Sequence, residues 1–162
     1  MDANRLRFIQ VFDNFDDREL ELLASVMHAR SYVGGETVFR RGDRASACFV
    51  VLAGAIDVKV EGQKNMDSNT VATLTPGSMF GEIALVDGGL RSATCQASAS
   101  GAELALLGRN EFDQIFNAGS PFAFKLMDLI GERVVERVRK AAGELLSVVL
   151  NERGGSVMFK AD

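Results

Sequence analysis

Between residues 31 and 108, glycine returns every few positions: Gly34-Gly35, Gly42, Gly54, Gly62, Gly77, Gly81, Gly88-Gly89, Gly101 and Gly108. The segments between them are short and β-prone, namely TVFRR, ACFVVLA, AIDVKVE, TVATL, RSATCQA and AELALL. Turn signals so closely spaced leave no room for helices between the runs, so the crossover helices that parallel strands require are excluded. In AIDVKVE, Ile56, Val58 and Val60 alternate with Asp57, Lys59 and Glu61, the two-residue period of a strand with one buried face. The zone therefore reads as an antiparallel sandwich or barrel, and no two segments repeat closely enough for a solenoid.

Helical rhythm flanks it on both sides. Asp16 and Asp17 can cap RELELLASVMHAR, in which Leu20, Leu23, Ala24 and Met27 share one face. Phe8, Val11, Phe12 and Phe15 give the preceding segment an apolar side with the same spacing. On the far side, Asn110 precedes EFDQIFNA, and Pro121 starts a long helix that runs to Gly154-Gly155. The expected organisation is a helical segment over 1–30, a β core over 31–108, helices over 109–153 and a tail over 154–162 without a readable signal. The fold class is α+β, mostly β: an antiparallel β-roll or jelly-roll barrel between an N-terminal helix and a long C-terminal helix.

Composition narrows the function classes. A chain of 162 residues is one ordinary domain, or one domain plus an appendage, and buries enough surface to need no staple. Its net charge of −4 supplies no field that draws it to DNA or anionic lipid. No leader or spanning run is visible, which places the expectation in the cytoplasm, without membrane contact. Cys48 and Cys95 lie in apolar runs and read as buried small hydrophobes. His28 falls within the helical pattern beside no other ligand, so no metal site is expected. No nucleophile stands with a base, so no enzyme is expected.

The run FGEIALVDGGLRSAT, from Phe80 to Thr94, carries the chemistry. Gly81 permits an unusual backbone angle or close approach of a ligand. The four residues Glu82-Ile83-Ala84-Leu85 can form one helical turn with free N–H groups at its start. Gly88-Gly89 reverses the chain, and Arg91 arrives with Ser92 beside it. An arginine fork matches a phosphate's oxygens, whereas a carboxylate accepts from hydroxyls and repels phosphate. The turn thus suits a ligand with an anionic end and a sugar end. An ordinary Glu82–Arg91 ion pair in a hairpin satisfies the same residues.

The same run resembles the phosphate-binding cassette of the cyclic nucleotide-binding domain family, departing mainly at Leu90, where proline is frequent. That family includes catabolite activator-type regulators, cAMP-dependent kinase regulatory subunits and cyclic nucleotide-gated channels. The likeness extends through FDNFDDRELELLASVMHARSY, VGGETVFRRGDRASACFVVLAGAIDV and TLTPGSMFGE. It implies that Arg91 clamps a cyclic phosphate, with Ser92 and Ala93 adding backbone N–H groups. It implies that Glu82 takes the ribose 2′-hydroxyl and that the Gly81 backbone approaches the sugar; Ile83 and Ala84 complete the expected ligand-binding turn, and the strand TVATL, including Val71, can supply apolar wall to the base. The implied ligand is cAMP, with cGMP as the other candidate, and no cofactor beyond it.

On the long C-terminal helix, Arg133, Arg137 and Lys140 form a basic stripe, which suits either solvent or ligand contact. Arg133 matches a position where activator-type relatives carry an arginine, but their Thr-Ser pair is replaced by Arg137 and Val138. Met127, Val134, Ala141 and Val148 recur every seven residues beside Ile130, while Arg137 and Glu144 interrupt the seam and Val138 and Leu145 are displaced by one. A short two-fold helix pair accommodates this pattern, as does a helix packed on its own barrel. No reading helix for DNA is seen. The expectation is a homodimeric sensor that signals through its C-terminal helix to an unidentified output partner; the alternative is a dimerising adaptor that no longer responds to nucleotide.

Overall fold

Asp16 starts the first helix as its residue type predicts. In the computed structural model, which describes residues 1–60, 69–119 and 121–152, helix α1 spans Asp17–Val26. The Asp16 carboxylate accepts from the Glu19 N–H at 2.9 Å, and the Glu19 carboxylate accepts from the Asp16 N–H at 2.8 Å. This capping box satisfies two donors at the helix start. Leu20, Leu23 and Ala24 are buried, with Met27 just past the end. The segment before α1 departs from expectation at Phe8, which is 90% exposed, while Val11, Phe12 and Phe15 are buried. Two short 3-10 turns, Ala3–Arg5 and Gln10–Phe12, replace a continuous helix there, so helical spacing does not align the four residues. The helical zone also ends early. Met27 is extended, and His28 is an exposed strand residue opposite Leu106 rather than part of a helical face.

Among the described residues six strands follow, all paired antiparallel: β1 His28–Tyr32, β2 Thr37–Phe39, β3 Ala47–Val60, β4 Asn69–Leu74, β5 Met79–Phe80 and β6 Thr94–Gly108. The runs ACFVVLA and AIDVKVE, expected as separate strands, form the single long strand β3. The run AELALL likewise continues the strand that begins at Thr94. Gly54 and Gly101 do not turn the chain; they bend it. Both have positive φ, +72° and +78°. A Cβ on Gly54 would lie 2.1 Å from the Gly101 carbonyl oxygen, and one on Gly101 would lie 2.7 Å from the Tyr32 carbonyl oxygen. Three backbones meet where no side chain fits, and register shifts in β3 flank the bend.

The bend divides the sheet. β1 and β5 pair with one half of the β3–β6 ladder, and β2 and β4 pair with the other. Tyr32, Phe49, Phe80 and Leu104 from the first half share one buried cluster with Ile56, Cys95 and Ala97 from the second. The two halves therefore fold onto each other as a β-roll. Its strand order is β1-β6-β3-β4, and among the described residues no pairing closes it into a barrel.

The remaining helices among the described residues are α2 Ile83–Asp87, α3 Arg109–Asn117 and α4 Pro121–Glu152. Two compact units result, Met1–Lys125 and a second beginning at Leu126. Within the first, the start of α4 is tied to the N-terminal segment. Phe122 meets Phe15 edge-on at 5.8 Å, and Lys125 Nζ lies 2.6 Å from Glu19. In the second, Leu126, Leu129 and Ile130 are buried and Met127 and Val134 are half-buried, but Val138, Ala141 and Leu145 are exposed. Glu61, Gly62, the Val148 side chain and residues 154–162 lie outside the described residues. No helix among the described residues is long and apolar enough to cross a membrane.

Candidate functional site

Strand β5 delivers the chain to the site. Phe80 pairs with Phe49 on β3, and the next residue, Gly81, turns with φ +69°. Glu82 follows and is fully buried. Leu85, 1% exposed, anchors the five-residue helix α2, while Ile83 and Val86 stay exposed. The helix thus begins one residue later than expected. Gly88 reverses the chain with φ +61°, and the Gly89 N–H donates to Asp87 Oδ1 at 2.8 Å.

A second loop braces the far end of this segment. The Arg91 N–H donates to the Asp43 carbonyl, and the Gly42 N–H donates to the Arg91 carbonyl, both at 2.9 Å. The Ala45 N–H reaches the Gly89 carbonyl at 3.1 Å. The loop is itself closed by the Arg40 N–H on Asp43 Oδ2 at 2.7 Å, with Gly42 at φ +85°. In the sequence this loop belongs to the run VGGETVFRRGDRASACFVVLAGAIDV, which stands out only through the resemblance; its spacing gives no hint that it grips the segment from Gly81 to Arg91.

Arg91 is 7% exposed. Its Nη1 donates to the Gly81 carbonyl at 3.1 Å and its Nη2 to the Ala47 carbonyl at 2.7 Å. The guanidinium carbon lies 4.1 Å from the centre of the Phe39 ring and 5.4 Å from that of Phe49. These hydrogen bonds run to backbone carbonyls rather than to the Glu82 carboxylate. Burial lowers the Arg91 pKa, and Cys95, Cys48, Asp43 and Glu82 oppose that shift. A guanidinium does not deprotonate in proteins, so the site holds a buried positive charge beside a buried carboxylate. Nε carries no hydrogen bond among the described residues. Desolvation, reinforced by Glu82, pushes the Cys48 thiol up to about 12, which keeps it neutral.

The structure gathers Gly81, Glu82, Ile83, Ala84 and Arg91 in one short segment, with exposed Ser92 and half-buried Ala93 leading into β6. The Ala84 side chain lies outside the description. Val71 sits on β4 at a register shift between the pairs Val58–Ala72 and Lys59–Thr70 and is 60% exposed. Arg133 and Arg137 belong to the second unit; Arg133 Nη1 is 2.9 Å from Glu136, and Arg137 is exposed. The sequence reading missed Phe39, Phe49 and the Ala47 carbonyl, because contacts across three strands depend on register. A shallow depression of about 450 Å³ at the Gly54–Gly101 bend, bordered by Tyr32, Val33 and Glu103, includes none of the cassette residues. Among the described residues no cluster of three metal-ligating side chains occurs.

The family profile described as cyclic nucleotide-binding domain matches residues 29–118. A cGMP-dependent protein kinase egl-4 of Caenorhabditis briggsae is 32% identical over 114 residues, 69% of this chain and 15% of the kinase. The cyclic AMP receptor protein of Thermus thermophilus is 30% identical over 129 residues, 78% of this chain and 57% of that protein. The crystal structure of the Thermus thermophilus catabolite activator protein superposes with a TM-score of 0.75 at 27% identity, covering 88% of this chain and 64% of that one.

Proposed function

Because the chain belongs to the cyclic nucleotide-binding domain family, we propose that it is a sensor whose Arg91 clamps the phosphate of a purine 3′,5′-cyclic nucleotide and whose Glu82 accepts from the ribose 2′-hydroxyl. One observation carries this reading: a buried guanidinium with in-plane donors left over lies in the same short segment as a fully buried carboxylate. A positive fork answers a cyclic phosphate, and an acceptor-only carboxylate answers a hydroxyl. The backbone of Gly81, Ser92 and Ala93 lines the sugar and phosphate, Ile83 and Ala84 flank the sugar, and Val71 borders the base. We place cAMP first, since the cyclic AMP receptor protein aligns over 78% of this chain. The 32% identity to a cGMP-dependent kinase supports cGMP as the second reading.

Helix α4, with its partly exposed apolar seam, forms a two-fold pair with a second copy, and ligand reorders it for a partner to read. Arg133 and Arg137 then contribute to covering the base. A dimerising adaptor indifferent to nucleotide is the alternative, and titration separates the two. Saturable binding of cAMP or cGMP supports the sensor. The 2′-deoxy analogue should bind about 5- to 150-fold more weakly, because a buried carboxylate then loses its partner, at about 1–3 kcal/mol. Glu82→Ala should erase most of that preference. Absence of saturable binding, or an unchanged preference in Glu82→Ala, contradicts these assignments.

A further inference from the structure

A long arginine side chain has rotamer freedom to lose before it can hold a phosphate with two parallel hydrogen bonds. Arg91 has already lost much of it. Its guanidinium carbon stands 4.1 Å over the ring of Phe39, a half-buried residue of β2 set opposite Cys95 on β6. That ring is itself held. Phe49 on β3 packs against it at 5.6 Å and Phe80 on β5 at 6.0 Å, and Phe49 and Phe80 stack on each other at 5.1 Å. Three strands thus contribute one aromatic platform beneath one cation.

The geometry separates two kinds of contact. Stacking occupies a face of the planar guanidinium, while its N–H donors point outward in the plane. Two of the five donors go to the Gly81 and Ala47 carbonyls. Among the described residues Nε, itself buried, and the second N–H on each terminal nitrogen carry no hydrogen bond, and an Nε–Nη edge is the edge that meets two phosphate oxygens. With the guanidinium carbon over the Phe39 ring, the aromatic contact restrains the fork without using the donors that the ligand needs. Gly81 completes the cradle, since a Cβ there would fall 2.4 Å from Nη1.

We propose that Phe39 is a positioning residue for the ligand's phosphate: it acts through Arg91, holding the guanidinium plane before the nucleotide arrives, and touches no part of the ligand itself. The inference rests on the reading of Arg91 as the phosphate clamp. Its physical content is preorganisation, which raises affinity by removing an ordering cost from the binding step.

The test is a double-mutant cycle read by calorimetric titration with cAMP, with thermal unfolding in parallel. Phe39→Leu removes the ring at similar volume and should weaken binding about 3- to 30-fold. Phe39→Tyr keeps the ring and should recover the affinity that Phe39→Leu loses. In an Arg91→Gln background, with no cation to hold, Phe39→Leu should change affinity less than about twofold. A role in packing alone predicts equal factors in both backgrounds, and that result overturns the proposal, as does parental affinity in Phe39→Leu. If Phe39→Leu does not fold, the Arg91 Nε–H resonance of the parent decides. A slowly exchanging, ring-shifted signal supports the platform, and an averaged one overturns it. A parent that binds cAMP through Arg91 but ignores Phe39 refutes only the platform; a parent that binds no cyclic nucleotide refutes the clamp and the platform together.

Discussion

Gly81→Ala places backbone strain and ligand affinity on the same atom. Gly81 has φ +69°, where an L side chain costs about 1–2 kcal/mol. Its Cβ would also lie 2.4 Å from Arg91 Nη1, the atom that donates to the Gly81 carbonyl at 3.1 Å. The guanidinium must move, which breaks that hydrogen bond and tilts the fork. A hydrogen bond involving a charged group contributes about 1.5–3 kcal/mol, so affinity for the cyclic nucleotide should fall about 10- to 150-fold. Gly77→Ala supplies the control. Gly77 has φ +90°, but an added Cβ meets nothing within 4 Å. Gly77→Ala should lose about 2–8 °C in melting temperature and Gly81→Ala more, because it also loses the hydrogen bond to Arg91, and only Gly81→Ala should lose affinity. Calorimetric titration with cAMP reads the second effect. Equal affinity losses in the two variants, or parental affinity in Gly81→Ala, refutes the argument that this glycine makes room for Arg91.

Three further outcomes are expected. If α4 pairs about a two-fold axis, Val134→Glu gives a monomer in light scattering where the parent is a dimer; a monomeric parent at high concentration contradicts the pairing. Cys48 and Cys95 are both buried, and the Cys48 thiol is pushed up to about 12, so thiol reagents at pH 8 should label the native chain only as fast as it unfolds; rapid stoichiometric labelling speaks against that burial. The Arg5 hydrogen bond holds the Glu103 carboxyl below its ordinary value. The stability this contributes is present above the unfolded carboxylate range, about 4.3, and is lost as pH falls through the lowered folded value. With both side chains about one-third exposed, the pair contributes under about 1 kcal/mol. Glu103→Gln should therefore lower the melting temperature slightly at pH 7 and progressively less below about pH 4; a deficit independent of pH rules this pair out as its source.

Local chemistry was legible in the sequence, and long-range register was not. Asp16 and the spacing of Leu20, Leu23 and Ala24 specify α1 because capping and helical periodicity act within a few residues. The stretch from Gly81 to Arg91 was readable for the same reason: its glycines, carboxylate and guanidinium are close in the chain. Gly54 and Gly101 misled, since a positive φ serves a strand bend as well as a turn, and only the third backbone at Tyr32 decides between them. Met79–Phe80 is too short to show a period, yet β5 places the cassette against β3. Phe39 read as one more apolar residue of a strand. Its place under Arg91 depends on the pairing of β2 with β6, which no spacing within β2 reveals.

If Arg91 clamps the phosphate, calorimetric titration of the parent and of Arg91→Ala with cAMP and cGMP shows it. At least one of the two nucleotides should bind the parent saturably. Arg91→Ala should lose about 100- to 3,000-fold, from the roughly 3–5 kcal/mol that removal of one partner of a buried charge pair costs. An Arg91→Ala protein that folds and binds as tightly as the parent contradicts it.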